Sequence, residues 1–462
     1  MGDVEPWLSR ARDTLRRSDS GLVTERGRTP WRDLLAAAER VAADLPPSRH
    51  GWVVPADGAE RSVVGLLAVG LARPAPRWVL GDPTRWAASA PVPAPSTVDT
   101  GASSVPGPAG AGPGSHSVPG SAEGSYLVPA GSAAAPPAGV DGPTYATATS
   151  GTTGAPKLLF GRPDSLVDAV RLYAHGMPEY AAAEVFAACS SIDFAAGFYM
   201  VVAPAIVLGR DLVLFRPSRW DLAADELAGR PGVCLAAASL AAAGARTVRP
   251  GRRYRDTRFV PAGGGLTANR AERITAGFAG CGFLTMLGST ETGLLTVDRE
   301  VRQDGHVGWP LPGKPVWLHD IGPDGVGTLW TRGPDTRFAA TGGELLTGPA
   351  GAVSTGDLAH RHPDGGFVLD GRADQLVKVD GVSVYPRQIV GAVRAIPGVV
   401  DASVSVDRSA AVDRITVVAV GEVTEEQVRQ ACAELPTPLV PHRVRCRPAD
   451  GSAVSDRGKV LL

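Results

Sequence analysis

The segment Thr149-Ser150-Gly151-Thr152-Thr153-Gly154-Ala155-Pro156-Lys157 puts four hydroxyls, two glycines and one lysine into nine residues. Backbone N–H groups left open by Gly151 and Gly154, the hydroxyls and the Lys157 ammonium are what a protein needs to hold a polyphosphate tail without covalent chemistry. A nucleoside triphosphate is the ligand this composition predicts. The phosphate loop of the G-x-x-x-x-G-K-[ST] type is excluded: Leu158 follows the lysine where that motif has a magnesium-binding hydroxyl, and the glycine spacing differs. A flexible solvated loop has the same composition, so the segment gains meaning from what surrounds it.

Five further segments follow it. Val260-Pro261-Ala262-Gly263-Gly264-Gly265 ends a predicted strand in three glycines, where a flat ring can lie against bare backbone. Met286-Leu287-Gly288-Ser289-Thr290-Glu291-Thr292-Gly293 places a hydroxyl and a carboxylate together after a strand. Magnesium favours such hard oxygens and shares itself between protein and phosphates. Ser354-Thr355-Gly356-Asp357 offers a planar carboxylate with two acceptor oxygens, the geometry that receives two vicinal hydroxyls. Last come Asp370-Gly371-Arg372-Ala373-Asp374, continuing to Gly381, and Ser455-Asp456-Arg457-Gly458-Lys459.

In this order the segments resemble the AMP-forming adenylating superfamily, which includes acyl- and aryl-CoA ligases, luciferases and the adenylation domains of nonribosomal peptide synthetases. The resemblance covers residues 149–462 well and the N-terminal third poorly, and its spacing is nearest to the acyl/aryl-CoA ligases. It implies that Thr149, Ser150, Gly151, Thr152, Thr153, Gly154 and Lys157 hold the phosphates of ATP. Gly264 and Gly265 would face adenine, and Asp357 and Arg372 the ribose or phosphate. Thr290 and Glu291 would act at the reacting phosphate, with Glu291 as the Mg2+ ligand. Lys459 is the catalytic cation the resemblance implies, because a carboxylate attacking an α-phosphate brings negative charges together and an ammonium there stabilises the transition state. Asp374 would be a hinge, and Gly381 would line the tunnel for an acceptor's thiol arm. Asp193, Phe194, Gly197 and Gly288 would line the acyl pocket. Two departures stand out: Leu287 occupies a position where many relatives carry an adenine-stacking tyrosine, and Gln388-Ile389-Val390 replaces a Glu-Ile-Glu pattern.

The rest of the chain sets the frame. Its 462 residues exceed one compact core and predict two or three domains. From Trp31 to about Pro83, helical and strand patterns alternate: Leu34, Leu35, Ala38, Val41 and Leu45 at helical spacing, Trp52 to Val54 as a strand, Val63 to Leu71 as a helix, Trp78 to Leu80 as a strand. Alternation of this kind implies a mostly parallel sheet. The expected fold is α/β: a large N-terminal body of layered α/β subdomains plus a small β-subdomain, and a small mobile α+β C-terminal domain. Residues 1–86 form an abbreviated first subdomain in this reading. Residues 87–143, rich in Pro, Gly, Ala and Ser, are a mobile insertion or linker with Tyr126 to Val128 as its sole strand candidate. Residues 144–371 are the adenylate-forming core, and 372–462 the mobile domain.

Charge and cysteine content exclude other classes. With 46 basic and 47 acidic residues the formal net charge is -1, which gives no case for nucleic acid or an anionic membrane as a partner. Five cysteines without a C-x-x-C pair argue against a disulfide framework or zinc site and fit a reducing cytoplasm. Met1 to Arg17 lacks an apolar core, so a helix is expected there rather than a secretory signal. Phe194 to Gly209 is shorter than the roughly 20 residues that span a bilayer and reads as a buried helix.

Structural readings stand beside the functional ones. Asp193 can be a helix N-cap and Phe194 plain core. Arg443, Arg445 and Arg447 can meet the phosphates of coenzyme A or simply guard an edge strand. His360 and His362 receive no role. The expected activity is activation of a carboxylic acid as its acyl-adenylate, followed by transfer to coenzyme A. The alternatives are loading of an acyl or amino acid in trans onto the phosphopantetheine of a carrier protein, and a homologue that binds nucleotide without turnover.

Overall fold

The computed structural model describes residues 7–46, 48–87, 126–149, 157–262, 266, 268–302, 305–341, 345–348, 351–373, 377–379, 382–384, 386–407, 414–433, 435 and 439–448. Two sheets organise the larger part. The first runs Gly282–Phe283, Thr257–Ala262, Gly232–Ala237, Val185–Ala188, Asp211–Leu214, Gly21–Thr24 and Gly27–Pro30, parallel throughout except for its last hairpin. The second runs Ala339–Ala340, Leu158–Gly161, Tyr145–Ala148, Trp78–Gly81, Trp52–Pro55 and Val128–Pro129, with only the three inner strands from Tyr145 to Pro55 parallel.

These strands are apolar on both faces because both faces are covered. Trp52, Trp78 and Tyr145 from the second sheet share one core with Phe186, Leu212 and Leu235 from the first, together with helices Ala59–Leu71 and Ser165–Gly176. Val53, Val79 and Ala146 turn to the opposite side, as the two-residue period of a strand requires. On the outer face of the first sheet, Val185, Cys234 and Phe259 pack with Trp220, Ala241 and Phe278 from flanking helices. The alanine-rich run from Val233 lets that helix close up: a side chain on Gly244 would enter the Trp220 ring.

The expected helix from Phe194 to Gly209 forms as three contiguous turns types: Ala195–Gly197, a π-helical Phe198–Val202, and Ala203–Leu208. Pro204 is accommodated near the start of the last, and Gly209 stops the helix in the left-handed region at φ 62°. The insertion expected over 87–143 behaves differently in its described part. Val128–Pro129 is an edge strand antiparallel to Trp52–Pro55, and Leu127, Ala130 and Ala134 are buried. Residues 88–125 lie outside the described residues.

An antiparallel sheet of Val316–His319, Gly327–Thr331, Val353–Arg361 and Phe367–Arg372 forms the β-subdomain. Near the C-terminus, helices Pro386–Arg394 and Glu425–Ala433 join strands Val399–Asp407, Arg414–Gly421 and Arg443–Arg447 around Ile389, Val393, Ile415, Val417 and Val428. The predicted capping box closes reciprocally: Gln427 N–H donates to Thr424 Oγ1 and Thr424 N–H to Gln427 Oε1. Arg443 and Arg445 are exposed on a strand that has one neighbour among the described residues, which matches the edge-guarding reading. All five cysteines are free thiols, and burial pushes Cys189 up to about 12 and Cys281 up to about 11. Among the described residues no helix is long and apolar enough to cross a membrane.

Candidate active site

The hydroxyl- and glycine-rich segment is the connection of a hairpin. Tyr145–Ala148 and Leu158–Gly161 pair antiparallel with Ala148 opposite Leu158. Thr149 N–H donates to the Lys157 carbonyl at 2.8 Å, and Lys157 N–H donates back to Thr149 Oγ1 at 3.2 Å. The base of the loop is therefore fixed, with the Lys157 side chain exposed. Ser150, Gly151, Thr152, Thr153 and Gly154 lie outside the described residues. On the far side of Leu158, Thr341 Oγ1 accepts from Leu158 N–H at 3.1 Å and Thr341 N–H donates to the Leu158 carbonyl.

Thr290 and Glu291 sit on the tight turn between antiparallel strands Thr285–Ser289 and Gly293–Asp298. Ser289 Oγ accepts from Thr292 N–H, and Gly293 takes φ 65° to close the turn. Gly288 is obligatory by contact, since a Cβ there would lie 2.6 Å from the Gly293 carbonyl. Both Thr290 and Glu291 are half-buried. The Glu291 carboxylate has no partner among the described residues, while its backbone carbonyl accepts from Arg337 N–H at 2.8 Å. An unpaired, partly exposed carboxylate fits a magnesium ion.

That turn is held from below by groups that the sequence did not single out. Asp335 and Lys314 form an ion pair of 2.7 Å with both side chains 0 % exposed. Asp335 Oδ2 also accepts from Leu294 N–H and from the Tyr173 hydroxyl, and Lys314 Nζ donates to the Thr292 carbonyl at 2.7 Å. Burial pulls the Lys314 ammonium down from its ordinary value, against the opposing pull of Asp335. Burial and the nearby Asp335 push Tyr173 well up, so it is neutral. In sequence these residues stand in Pro312-Gly313-Lys314 and Gly333-Pro334-Asp335, contexts that read as solvated turns.

A short strand links the two segments. Arg337 N–H reaches Glu291, Phe338 N–H reaches the Phe160 carbonyl, and Thr341 bonds Leu158 on both sides. The turn of Glu291 and the hairpin of Lys157 are thus tied through 337–341. The 195–208 helix joins the same assembly, because the Tyr199 hydroxyl is 3.2 Å from Thr147 Oγ1. At the start of that helix Phe194 packs half-buried against the shared core, and Gly197 leaves room for Ser190 Oγ. Asp193 does not cap the helix: its Oδ1 accepts from the Ser191 hydroxyl, and the cap position is Phe194 without a side-chain bond.

Asp357 and Arg372 face each other on neighbouring strands, with Arg372 Nη1 3.4 Å from Asp357 Oδ1. Ser354 to Asp357 lies inside a strand rather than in an isolated turn, kinked where Gly356 takes φ 71°. Leu287 packs toward the β-subdomain core of Leu295, Val316 and Phe367. Gly264, Gly265, Asp374, Gly381 and Lys459 lie outside the described residues.

Among the described residues one cluster has metal-ligand composition. Ring nitrogens of His306 and His362 and a carboxylate oxygen of Asp364 lie within 4.8 Å of one another. His306 Nδ1 faces both Gly308 N–H at 3.1 Å and the Asp298 carboxylate at 3.4 Å, and Nε2 faces Asp364 at 3.3 Å, so both ring nitrogens are engaged by protein groups. Hydrogen bonding within a loop is the function this geometry supports.

Comparison with known proteins agrees with the architecture. A family model described as "AMP-binding enzyme" matches residues 87–338. The p-hydroxybenzoic acid–AMP ligase FadD22 of Mycobacterium marinum is 30% identical over 266 residues, covering 54% of this chain and 37% of that protein. The fatty acid–[acyl-carrier-protein] ligase MmaC of the same organism is 30% identical over 172 residues, 32% of this chain and 29% of its own. The match therefore spans well under half the length of either relative. A benzoate CoA ligase from Burkholderia xenovorans superposes with a TM-score of 0.71 at 18% identity, covering 99% of both chains. That likeness is one of fold.

Proposed function

The chain belongs to the AMP-binding enzyme family, and on that premise we propose that it activates a carboxylic acid with ATP and passes the acyl group to a thiol. The observation that supports this most is the hydrogen-bonded segment 337–341, which ties the turn bearing Glu291 to the base of the Thr149–Lys157 loop. In the proposed reaction a carboxylate oxygen attacks the α-phosphorus, the bond between α-phosphorus and bridging oxygen breaks, and pyrophosphate leaves. Lys157 and the loop hydroxyls orient the phosphates. Thr290 donates to phosphate oxygen, and Asp357 with Arg372 receives the ribose and neighbouring phosphate. Magnesium bound at Glu291 would neutralise phosphate charge. Lys459 supplies the cation at the transition state.

The substrate acid extends toward Phe194, Gly197 and Gly288. Residues 372–462 pivot at Asp374 after adenylation, withdrawing Lys459 and bringing Gly381 to the thiol path. Sulfur then bonds the carbonyl carbon, the thiol proton is released, and AMP departs. Closure of this kind keeps water from a labile mixed anhydride. Coenzyme A is the acceptor we propose first. The carrier-protein ligases among the relatives support phosphopantetheine of a carrier protein as the second reading.

Pyrophosphate release measured with aryl, fatty and amino acids tests the first half-reaction, and addition of coenzyme A or a phosphopantetheinylated carrier tests the second. Acid-dependent release, with thioester formed from coenzyme A, is expected. Release with no acid at all would refute the proposal.

A further inference from the structure

Arg270 is 5 % exposed, on a helix, Ala268–Gly277, whose Asn269, Glu272, Arg273 and Thr275 all face solvent. An arginine is almost never buried this deeply unless its charge is met. The groups that meet it come from the C-terminal unit: Nη2 donates to the Val400 carbonyl and lies 3.3 Å from Asp401 Oδ2. Among the described residues, every hydrogen bond between that unit and the larger part runs through this one guanidinium.

Both acceptors are products of local structure in the C-terminal unit. Strand Val399–Asp407 carries a bulge: Val399 pairs with Gly421 and Asp401 with Val420, so Val400 has no residue opposite it and its carbonyl is left for a group outside the ladder. Gly421 permits this close approach, since a Cβ there would lie 2.9 Å from the Val400 nitrogen. Asp401 is already held inside its own unit, where Oδ1 accepts from Ala402 N–H at 2.8 Å and from Arg394 Nε at 2.8 Å. Breaking the contact with Arg270 therefore strands no buried charge. Asp401 keeps Arg394 and Ala402, the Arg270 guanidinium passes to water, and each side keeps its own apolar core, around Ile389 and Val417 in one and around Phe259 and Ile274 in the other. The contact is also opposed where it stands: burial lowers the Arg270 guanidinium from its ordinary value, Asp401 raises it, and the neighbouring Arg394 and Arg273 lower it further. Such a pair can be released, unlike Lys314 and Asp335, which are sealed inside the larger part.

We propose that Arg270 is the latch that holds the C-terminal unit in this orientation, and thereby a positioning residue that sets the balance between the two half-reactions. The latch stands on geometry alone, and its kinetic consequence rests on the adenylation reading above. Arg270 acts on one orientation only, because once the units separate it is hydrated and touches neither acceptor. Its removal leaves the docked state with the Val400 carbonyl and Asp401 Oδ2 short of a donor and leaves the undocked state as it was. The population moves away from the docked state.

Nitroxide labels on Arg249→Cys in the larger part and Glu426→Cys in the C-terminal unit, both exposed positions, report the separation of the units by double electron–electron resonance on the full chain, with the half-buried Cys446 changed to serine. With Arg270 in place one distance is expected to dominate. Arg270→Gln should lower that population at least about tenfold relative to the others, and Arg270→Lys, which keeps the charge but not the fork of donors, should restore part of it. Acid-dependent ATP–pyrophosphate exchange reports the first half-reaction, and thioester formation from preformed adenylate with coenzyme A or a phosphopantetheinylated carrier reports the second, using whichever aryl, fatty or amino acid wild type exchanges fastest. The ratio of the two rates should change at least about tenfold in Arg270→Gln, whereas a merely structural loss lowers both alike. A distance distribution unchanged in Arg270→Gln overturns the latch, and a shifted distribution with an unchanged ratio overturns the positioning role. Should Arg270→Gln not fold, Arg270→Met, which keeps the apolar stem, takes its place under the same outcomes. Absence of exchange with every acid refutes adenylation itself, and the distance measurement then decides the latch separately.

Discussion

The Asp335 carboxylate accepts three hydrogen bonds of distinct origin, from the Lys314 ammonium, the Leu294 N–H and the Tyr173 hydroxyl, and the Asp335 backbone carbonyl accepts one from the Arg337 guanidinium. Asp335→Asn removes the charge that balances a fully buried lysine and turns one acceptor oxygen into a donor. Loss of one partner of a buried pair costs about 3–5 kcal/mol. Urea unfolding of the variant is expected to show that loss, and a change below about 0.5 kcal/mol would mean the pair is unimportant to the turn. None of Asp335, Lys314 or Arg337 was legible in the sequence. Each stands next to glycine, proline or threonine in a stretch with turn composition, and their burial is created by strands that arrive from more than a hundred residues away, such as Tyr145–Ala148. Asp357, Arg372 and Glu291 are singled out in the sequence because their neighbours form ordered motifs, and the structure puts the first two face to face.

At the scale of elements, the turn between Thr285–Ser289 and Gly293–Asp298 depends on backbone approach more than on side chains. A methyl group on Gly288 would meet the Gly293 carbonyl at 2.6 Å, a contact that only backbone movement relieves. Gly288→Ala is therefore expected to displace Thr290 and Glu291 and to lower adenylation at least about tenfold, with secondary structure by circular dichroism unchanged. Unaltered kinetics would show that the turn tolerates the shift. Helices and strands were largely readable: the capping box at Thr424 and Gln427 and the apolar run ended by Gly209 are local signals. The strand identity of Ser354 to Asp357 was not, because a serine, threonine, glycine and aspartate together have turn composition. Only pairing with Gly327–Thr331 and Phe367–Arg372 makes them extended.

At the scale of the molecule, a buried contact bridges the larger part and the C-terminal unit. Arg270, on helix Ala268–Gly277, lies 3.3 Å from Asp401 Oδ2 and also donates to the Val400 carbonyl, while Arg394 holds Asp401 Oδ1 at 2.7 Å. Beside it a cavity of about 640 Å³ separates helix Pro386–Arg394 from Met286, His306 and Asp370. An ion pair at one edge and open space at the other are compatible with a unit that changes its orientation. The proposed reaction uses such a change to withdraw Lys459 once the adenylate has formed. The most direct test is acid-dependent ATP–pyrophosphate exchange by wild type and Lys459→Ala, with ATP binding measured calorimetrically on both. Exchange in wild type, reduced at least about a hundredfold in the variant while ATP affinity stays within about threefold, is the predicted result. Normal exchange by Lys459→Ala would contradict it.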